Sequence, residues 1–287
     1  MGIEFVKMSA QGNDFIIINN WNLTFDSSRL SELAKKLCRR RFSVGADGLL
    51  IVEPPRSPEG AFTMRLFNPD GSEGEMCGNG ARCIAWYAYV KDIATKEMII
   101  DTLSGPVRAW VHGKSVKIAL TRPTKVEVKK EVMTSRGIIP CSYVELGYPG
   151  LPHAVMEYQE VSRGEFPDLM KALKPLAREI RYNPAFPKGT NVNFYSVAGD
   201  TVYVLTYERG VEDFTLACGT GAASTVISLV EGGVLRLDNQ DKVRVVVPGG
   251  ELYIILEYDD REQIKNVYLE GEVRYVAEGR IYEDALL

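Results

Sequence analysis

No apolar run in this chain approaches the ~20 residues that a membrane-spanning helix needs, and there is no basic stripe or polybasic tail. With a net charge of −4 and 25% charged residues, nucleic acid and anionic membranes are excluded as partners. Histidine is nearly absent, at positions 112 and 153 only, and no Cys-x-x-Cys pair occurs. A structural zinc site therefore has no ligand set, and no metal is expected. The five cysteines, at 38, 77, 83, 141 and 218, are odd in number and irregular in spacing, which does not make a disulfide framework. The start, Met1-Gly2-Ile3-Glu4-Phe5, has no basic segment leading into an apolar one. No secretory signal is read there, and a cytoplasmic location is expected.

What remains is a chain of 287 residues with 45% hydrophobic content, enough for one large core or two modest ones. Short alternating or β-branched runs dominate. Phe5–Met8, Phe15–Ile18, Leu49–Val52, Val107–Val111, Val116–Leu120, Val192–Val197, Val202–Tyr207, Val243–Val247 and Leu252–Leu256 read as strands. Turn residues at Gly113-Lys114 and Gly249-Gly250 join two pairs of these as hairpins, so the sheet is at least partly antiparallel. Leu30, Leu33, Ala34, Leu37 and Cys38 share one face of an amphipathic helix from about Ser28 to Arg41. A second, Phe166 to Ile180, is expected to kink or break at Pro175. Two further segments, 78–91 and 219–231, are apolar nearly all round. A helix with no polar face is buried, and a sheet curled around each is the simplest way to bury it.

The order of elements repeats. Each half runs as strands, amphipathic helix, strands, a buried helix opening on Cys-Gly-x-Gly, and a hairpin. Aligning Cys77 with Cys218 places Gly78 on Gly219, Gly80 on Gly221 and Ala81 on Ala222, the mark of a duplication. The linker falls near Thr121-Arg122-Pro123-Thr124.

Both Cys-Gly-x-Gly motifs precede a buried helix. A helix N-terminus offers unpaired N–H groups and about half a positive charge. It can lower a thiol pKa from ~8.5 into the range of roughly 3.5–7.5. It can also hold a carboxylate, and glycine lets the backbone come close. Two such termini suit inversion at an amino-acid α-carbon. A thiolate removes the proton from one face, a thiol returns one from the other, and the N–H groups stabilise the enolate-like charge. Cysteine more often serves as a small buried hydrophobe, the reading kept for Cys38 and Cys83. Two copies in matching frames favour chemistry for Cys77 and Cys218.

At these residues the sequence resembles the diaminopimelate epimerase family. The stretches that carry the resemblance are Lys7-Met8-Ser9-Ala10-Gln11-Gly12-Asn13-Asp14-Phe15, Gly45-Ala46-Asp47-Gly48, Phe67-Asn68-Pro69-Asp70-Gly71-Ser72-Glu73 with Met76-Cys77-Gly78-Asn79-Gly80-Ala81-Arg82-Cys83, and Tyr207-Glu208-Arg209-Gly210 with Ala217-Cys218-Gly219-Thr220-Gly221-Ala222. The resemblance implies an α/β (α+β) fold of two pseudo-symmetric domains. Each is a mostly antiparallel curled sheet around a central buried helix, with the active site in the cleft between them. The halves are then 1–122, carrying Cys77 with 273–287 returning to it, and 123–272, carrying Cys218. Cofactor-independent epimerisation of LL-2,6-diaminopimelate to the meso isomer is implied, with no pyridoxal phosphate or other cofactor and no metal. Cys77 and Cys218 would be the catalytic pair, with His153 and Glu208 tuning their protonation. Backbone N–H groups of Gly78, Asn79, Gly219 and Thr220 would hold the reacting carboxylate. Asn13, Asn68, Asn191 and Arg209 would bind the rest of the small amino-acid substrate, Arg209 taking the distal carboxylate bidentately.

Plainer roles exist for several of these. His153 could be an ordinary strand histidine, Arg209 with Glu208 a surface ion pair worth ~0–1 kcal/mol, and Asn13 and Asn68 turn residues. The chain also departs from the family pattern. Leu151 stands in Gly150-Leu151-Pro152-His153 where the family often has Asn, removing one contact to the distal end. Gly48 stands where some members have Gln, and Ala10 where Gly is usual. Ala277 falls where some members place an aromatic at the dimer contact, which leaves a homodimer open. The rival in the same fold is a racemase for another amino acid such as histidine or proline. Asn79 argues against the proline type, which tends to show His there, and Arg209 against the histidine type. From other classes, a thiol–disulfide redox switch and a pure amino-acid-binding module remain, and turnover by the reduced protein separates both from an epimerase.

Overall fold

A computed structural model of the chain describes residues 2–163, 165–238 and 241–286; Met1, Gly164, Asn239, Gln240 and Leu287 lie outside the described residues. The fold is α+β, mostly strand, and separates into two compact units, Met1–Ala119 with Gly271–Leu287, and Leu120–Glu270.

The first unit opens on strands β1 (Ile3–Ala10) and β2 (Asn13–Asn19), then α1 (Ser27–Leu37), β3 (Gly48–Glu53), β4 (Phe62–Phe67), β5 (Glu73–Gly74), α2 (Gly78–Val90), β6 (Glu97–Thr102), β7 (Gly105–His112) and β8 (Ser115–Leu120). β1 and β2 are antiparallel, as are β3 and β4, β6 and β7, and β7 and β8. Two steps are parallel, β2 to β3 across α1 and β4 to β6 across α2. The crossover helix after a parallel step covers the sheet. α1 lays Leu30, Leu33, Ala34 and Leu37 on one face of the sheet, against Ile16, Ile18, Leu49 and Ile51. α2 packs on β1, β2, β3, β4 and β7.

The second unit repeats this order with β9 (Pro123–Thr134), β10 (Gly137–Leu146), β11 (Leu151–Glu157), α3 (Phe166–Arg181), β12 (Asn191–Ala198), β13 (Thr201–Glu208), β14 (Asp213–Thr215), α4 (Gly219–Glu231), β15 (Lys242–Val247), β16 (Gly250–Tyr258) and β17 (Ile264–Glu272). Its parallel steps are β11 to β12 across α3 and β13 to β15 across α4. α4 packs on β9 to β13 and β16. A final strand, β18 (Arg274–Ile281), pairs with β1 in the first unit. Among the described residues no helix is long and apolar enough to cross a membrane.

Three local expectations shift. α1 ends at Leu37 rather than near Arg41: Arg41 takes φ 73°, and the Gly45 N–H caps the Leu37 carbonyl at 2.8 Å. α3 runs unbroken through Pro175. Both Pro175 and Lys171, whose carbonyl the missing N–H would have met, are exposed, so water can satisfy that carbonyl. In the β15–β16 hairpin Val247 pairs with Gly250, so the turn is Pro248-Gly249, one residue earlier than Gly249-Gly250.

Candidate active site

In the first unit Cys77 is the extended N-cap of α2, with φ −134° and ψ 124°. The first helical hydrogen bond is Ala81 N–H to Cys77 O at 2.8 Å. The N–H groups of Gly78 and Asn79 therefore precede the helical ladder. Gly80 closes the packing beneath: a Cβ there would lie 3.2 Å from Leu50 Cδ2 and 3.6 Å from Phe15 Cε1. Asn79 Nδ2 donates to Asn13 Oδ1 at 2.6 Å, which brings these two predicted site residues together. Asn13 follows the β1–β2 turn, where Gln11 and Gly12 take φ of 42° and 86°, and its Nδ2 donates to Asp47 Oδ2 at 3.3 Å. Asn68 heads the β4–β5 turn and donates through Nδ2 to Ser72 Oγ at 3.0 Å. Gly48 has little room to be anything larger, since a Cβ would sit 3.2 Å from Leu66 Cδ1 and 3.4 Å from Phe15 Cδ1.

In the second unit Cys218 is the N-cap of α4. Its Sγ accepts from the Gly221 N–H at 3.3 Å and lies 3.4 Å from Thr220 Oγ1. Ala222 N–H opens the ladder to Cys218 O at 3.0 Å, so the Gly219 and Thr220 N–H groups precede it. Glu208 ends β13 and shares a hydrogen bond with the Cys218 thiol; its Oε1 also accepts from Thr215 Oγ1 at 2.5 Å. Burial holds the Glu208 carboxyl above its ordinary value, against the pull of those two donors. Burial, and then the Glu208 charge, push the Cys218 thiol well above the ordinary thiol range. The expectation that a helix N-terminus lowers this thiol is therefore not met. The half-charge of the helix is outweighed by desolvation and a neighbouring carboxylate.

His153 is fully buried on β11 opposite Asn191 of β12. Its Nδ1 lies 3.2 Å from Asn193 Nδ2 and its Nε2 3.5 Å from Asn191 Nδ2. Burial lowers its pKa to about 3, so the ring is a neutral base at any working pH. Among the described residues it has no hydrogen bond to Cys218 or Glu208. It approaches them through Asn193, whose Oδ1 accepts from Thr206 Oγ1 at 2.9 Å. That oxygen and Thr206 Oγ1 lie 2.5 and 2.6 Å from where a Gly221 Cβ would stand. Asn191 is engaged with backbone, Nδ2 to Pro152 O at 3.2 Å and Oδ1 from Arg209 N–H at 2.8 Å. Arg209 is exposed, donates through Nη1 to Lys188 O at 3.0 Å, and forms no ion pair with Glu208 among the described residues. Leu151 opens β11, partly buried, opposite Leu146.

Sequence reasoning missed Asn193, Thr206 and Thr215. The spacing of Asn191 and Asn193 puts both on one strand face, a signal that was legible; the pairings Asn193 with Thr206 and Thr206 with Thr215 were not. None of the five cysteines is in a disulfide. Cys38, Cys83 and Cys141 are buried thiols pushed up to about 12, 12 and 11 by desolvation, which makes them inert at neutral pH.

Comparison with known proteins follows the same residues. The chain matches the family described as diaminopimelate epimerase over residues 5–126 and 147–276. It is 38% identical to the diaminopimelate epimerase of Aquifex aeolicus, covering 99% of each chain. It is also 38% identical to that of Hydrogenobaculum sp., covering 96% of this chain and 97% of the relative. Among solved structures, a hydroxyproline epimerase from Agrobacterium vitis superposes with a TM-score of 0.71 at 16% identity, over 99% of this chain and 93% of its own, which shows a shared fold. The chain belongs to the diaminopimelate epimerase family, a family of isomerases.

Proposed function

We propose that the protein interconverts LL-2,6-diaminopimelate and the meso isomer without a cofactor, using Cys77 and Cys218 as bases on opposite faces of the reacting α-carbon. The observation that carries this reading is the duplication of one device. Each unit ends a strand–strand–helix frame on a cysteine N-cap, followed by two N–H groups that no helical bond uses.

The chemistry follows from those groups. A thiolate on one face takes the α-proton, so the C–H bond breaks and an S–H bond forms. The electron pair spreads into the α-carboxylate, and the N–H groups of Gly78, Asn79, Gly219 and Thr220 stabilise it as it becomes enolate-like. The thiol on the other face then gives its proton, leaving an inverted centre and a swapped pair ready for the reverse direction. The pH–rate profile is bell-shaped and belongs to the pair. Glu208, bonded to Cys218, and the neutral His153 shape the second thiol's surroundings. Asn13, Asn68 and Asn191 position the substrate, and Arg209 suits its distal carboxylate. With this substrate the enzyme serves lysine synthesis in the cytoplasm.

Leu151 favours one second reading, a changed distal end, because an aliphatic side chain cannot make an amide's hydrogen bonds. One experiment decides between them. The reduced protein is incubated in D2O with LL-diaminopimelate and, separately, with L-histidine, L-proline, L-lysine and L-glutamate, and α-proton exchange is followed by NMR. Exchange confined to diaminopimelate, with the meso isomer appearing, is expected. Exchange with another amino acid alone moves the substrate, and none with any of them removes the epimerase reading. Arg209→Ala should weaken recognition of the distal end; unchanged KM and kcat for diaminopimelate would take Arg209 out of that role.

A further inference from the structure

Arg82 is the largest fully buried side chain among the described residues, and it stands in the second turn of α2. Helical side chains lean back toward the N-terminus, and the guanidinium does so here. Nη1 donates to Gly78 O at 3.3 Å; Nη2 donates to Asn79 Oδ1 at 2.6 Å and to Gln11 Oε1. Nε has no partner. Among the described residues no carboxylate pairs with Arg82, although a buried cation without an anion is costly.

The hydrogen bonds around it run in one direction. Arg82 donates to Asn79, Asn79 to Asn13, and Asn13 to Asp47. A guanidinium can only donate and an ionised carboxylate only accept, so both amides have a single orientation. Glu4, at the start of β1, shares the α2 face but acts on Tyr87, in the later part of the helix, and pairs with Arg280; the other charges of these strands lie elsewhere. β1 to β4 turn Phe15 and Leu50 toward Gly80 of α2. Strand alternation sends Lys7, Asp14, Glu53 and Arg65 to the opposite face. There Lys7 and Arg40 pair with Asp14, Arg40 also with Asp47, and Arg65 with Glu53 and Glu73. On β7, Arg108 is exposed with Glu97 and His112 is exposed. On α2 itself the remaining titratable groups are Cys83, Tyr87 and Tyr89, and burial pushes the first two up.

Two of the differences between the duplicated frames place a charged group out of solvent beside a helix start, whereas Glu75, which aligns with Leu216, is exposed. Arg82 aligns with Ala223. Gly74 pairs with Leu66 three residues before Cys77, as Thr215 pairs with Thr206 three before Cys218, so Asn68 aligns with Glu208. One frame thus gains a cation and the other a carboxylate.

We propose that Arg82 is a positioning residue that holds Cys77 as the thiolate of the resting pair, while Glu208 holds Cys218 as the thiol. The guanidinium keeps its proton at neutral pH, burial lowering it only to about 10. Its charge reaches the thiolate from the level of Gly78, and the same hydrogen bonds fix Asn79 and Asn13 beside it. The proposal rests on the two-thiol reading above, but its test needs no turnover.

In the reduced wild-type protein, iodoacetamide alkylation is followed against pH, with peptide mass spectrometry reading Cys77 and Cys218 separately. Cys77 is expected to titrate below Cys218. Arg82→Gln should raise the Cys77 midpoint by about one unit or more, slowing its alkylation about tenfold at neutral pH, and leave Cys218 unmoved. Arg82→Lys, which keeps the charge, should restore the wild-type midpoint. Cys218 titrating first in the wild type, an unmoved Cys77 midpoint in folded Arg82→Gln, or an Arg82→Lys midpoint as high as that of Arg82→Gln would each overturn the proposal. If circular dichroism shows Arg82→Gln unfolded, the wild-type order and the Lys variant decide. Absence of deuterium exchange with every substrate would instead remove the epimerase reading and leave the thiol order standing.

Discussion

The N-termini of α2 and α4 are the same device in different company. Both begin on a cysteine in extended conformation, and both helices are buried by strands of their own unit. Yet Cys218 Sγ caps its own helix and shares a hydrogen bond with Glu208, whereas Cys77 makes no side-chain cap bond and has the buried Arg82 one turn on. The two buried bases behave differently for a simple reason. Burial costs both their charged forms, but guanidinium starts far above neutral and falls only to about 10, while imidazole starts near 6.5 and falls to about 3. Arg82 stays a cation and His153 becomes neutral. The repeated frame places a thiol; the residues around each frame decide which proton state it keeps.

The most damaging test of this pairing is to remove either thiol. Cys77→Ser and Cys218→Ser should each lower kcat by about 10³-fold or more, because one base cannot both take and return a proton on opposite faces. Turnover near wild type in either variant, with an unchanged melting curve, would end the two-base account. Glu208→Gln comes next. It removes a charge that raises the Cys218 thiol, so the Cys218 midpoint falls and the alkaline limb of the pH–rate profile moves to lower pH. Activity at pH 8 should drop about 10²-fold. A limb that stays in place would show that burial alone sets that thiol.

The frame was easier to read than its company. Strands with one solvated face, such as β7 and β15, announce themselves by alternation. β4, where Thr63 and Arg65 interrupt the apolar residues, is buried on both faces, and β18 is exposed at seven of its eight positions; both escaped, whereas β3, buried as fully, was legible from its unbroken apolar run. Gly80 and Gly221 made the two helix starts visible, and Pro152-His153 drew attention to His153. The proton state of Cys218 was not legible, because a helix dipole can be inferred from spacing but the desolvation that overrides it cannot. Arg82 shows in sequence only as a charge within an apolar helix. That it has no carboxylate partner depends on which face Asp14, Glu53 and Arg65 take, and that is a property of register.

The neutral His153 gives a third, smaller test. Its folded pKa is depressed, so the folded state refuses a proton that the unfolded chain accepts below about 6.5. Stability from this group is complete above pH 6.5 and is lost as pH falls toward 3. Between pH 7 and pH 5 the loss is about 2 kcal/mol. Urea unfolding of wild type and His153→Gln at the two pH values should therefore differ in slope by that amount. Equal slopes would mean that the imidazole is solvated.

The smallest effect compares the two glycines that follow the N-caps. Alanine at 221 would put a methyl 2.5 Å from Asn193 Oδ1 and 2.6 Å from Thr206 Oγ1, two groups hydrogen-bonded to each other. Alanine at 80 would crowd the flexible end of Leu50 at 3.2 Å and meet Phe15 Cε1 at an ordinary contact distance of 3.6 Å. Both changes gain about 1 kcal/mol of helix propensity. In Gly80→Ala that gain offsets the crowding and the net change should stay within about 1 kcal/mol. In Gly221→Ala overpacking of about 1–3 kcal/mol should outweigh it and displace the Asn193–Thr206 pair, so stability and turnover fall together. Equal melting temperatures for the two variants would mean that the second frame tolerates crowding as well as the first, and that Asn193 and Thr206 do not hold the approach to Cys218.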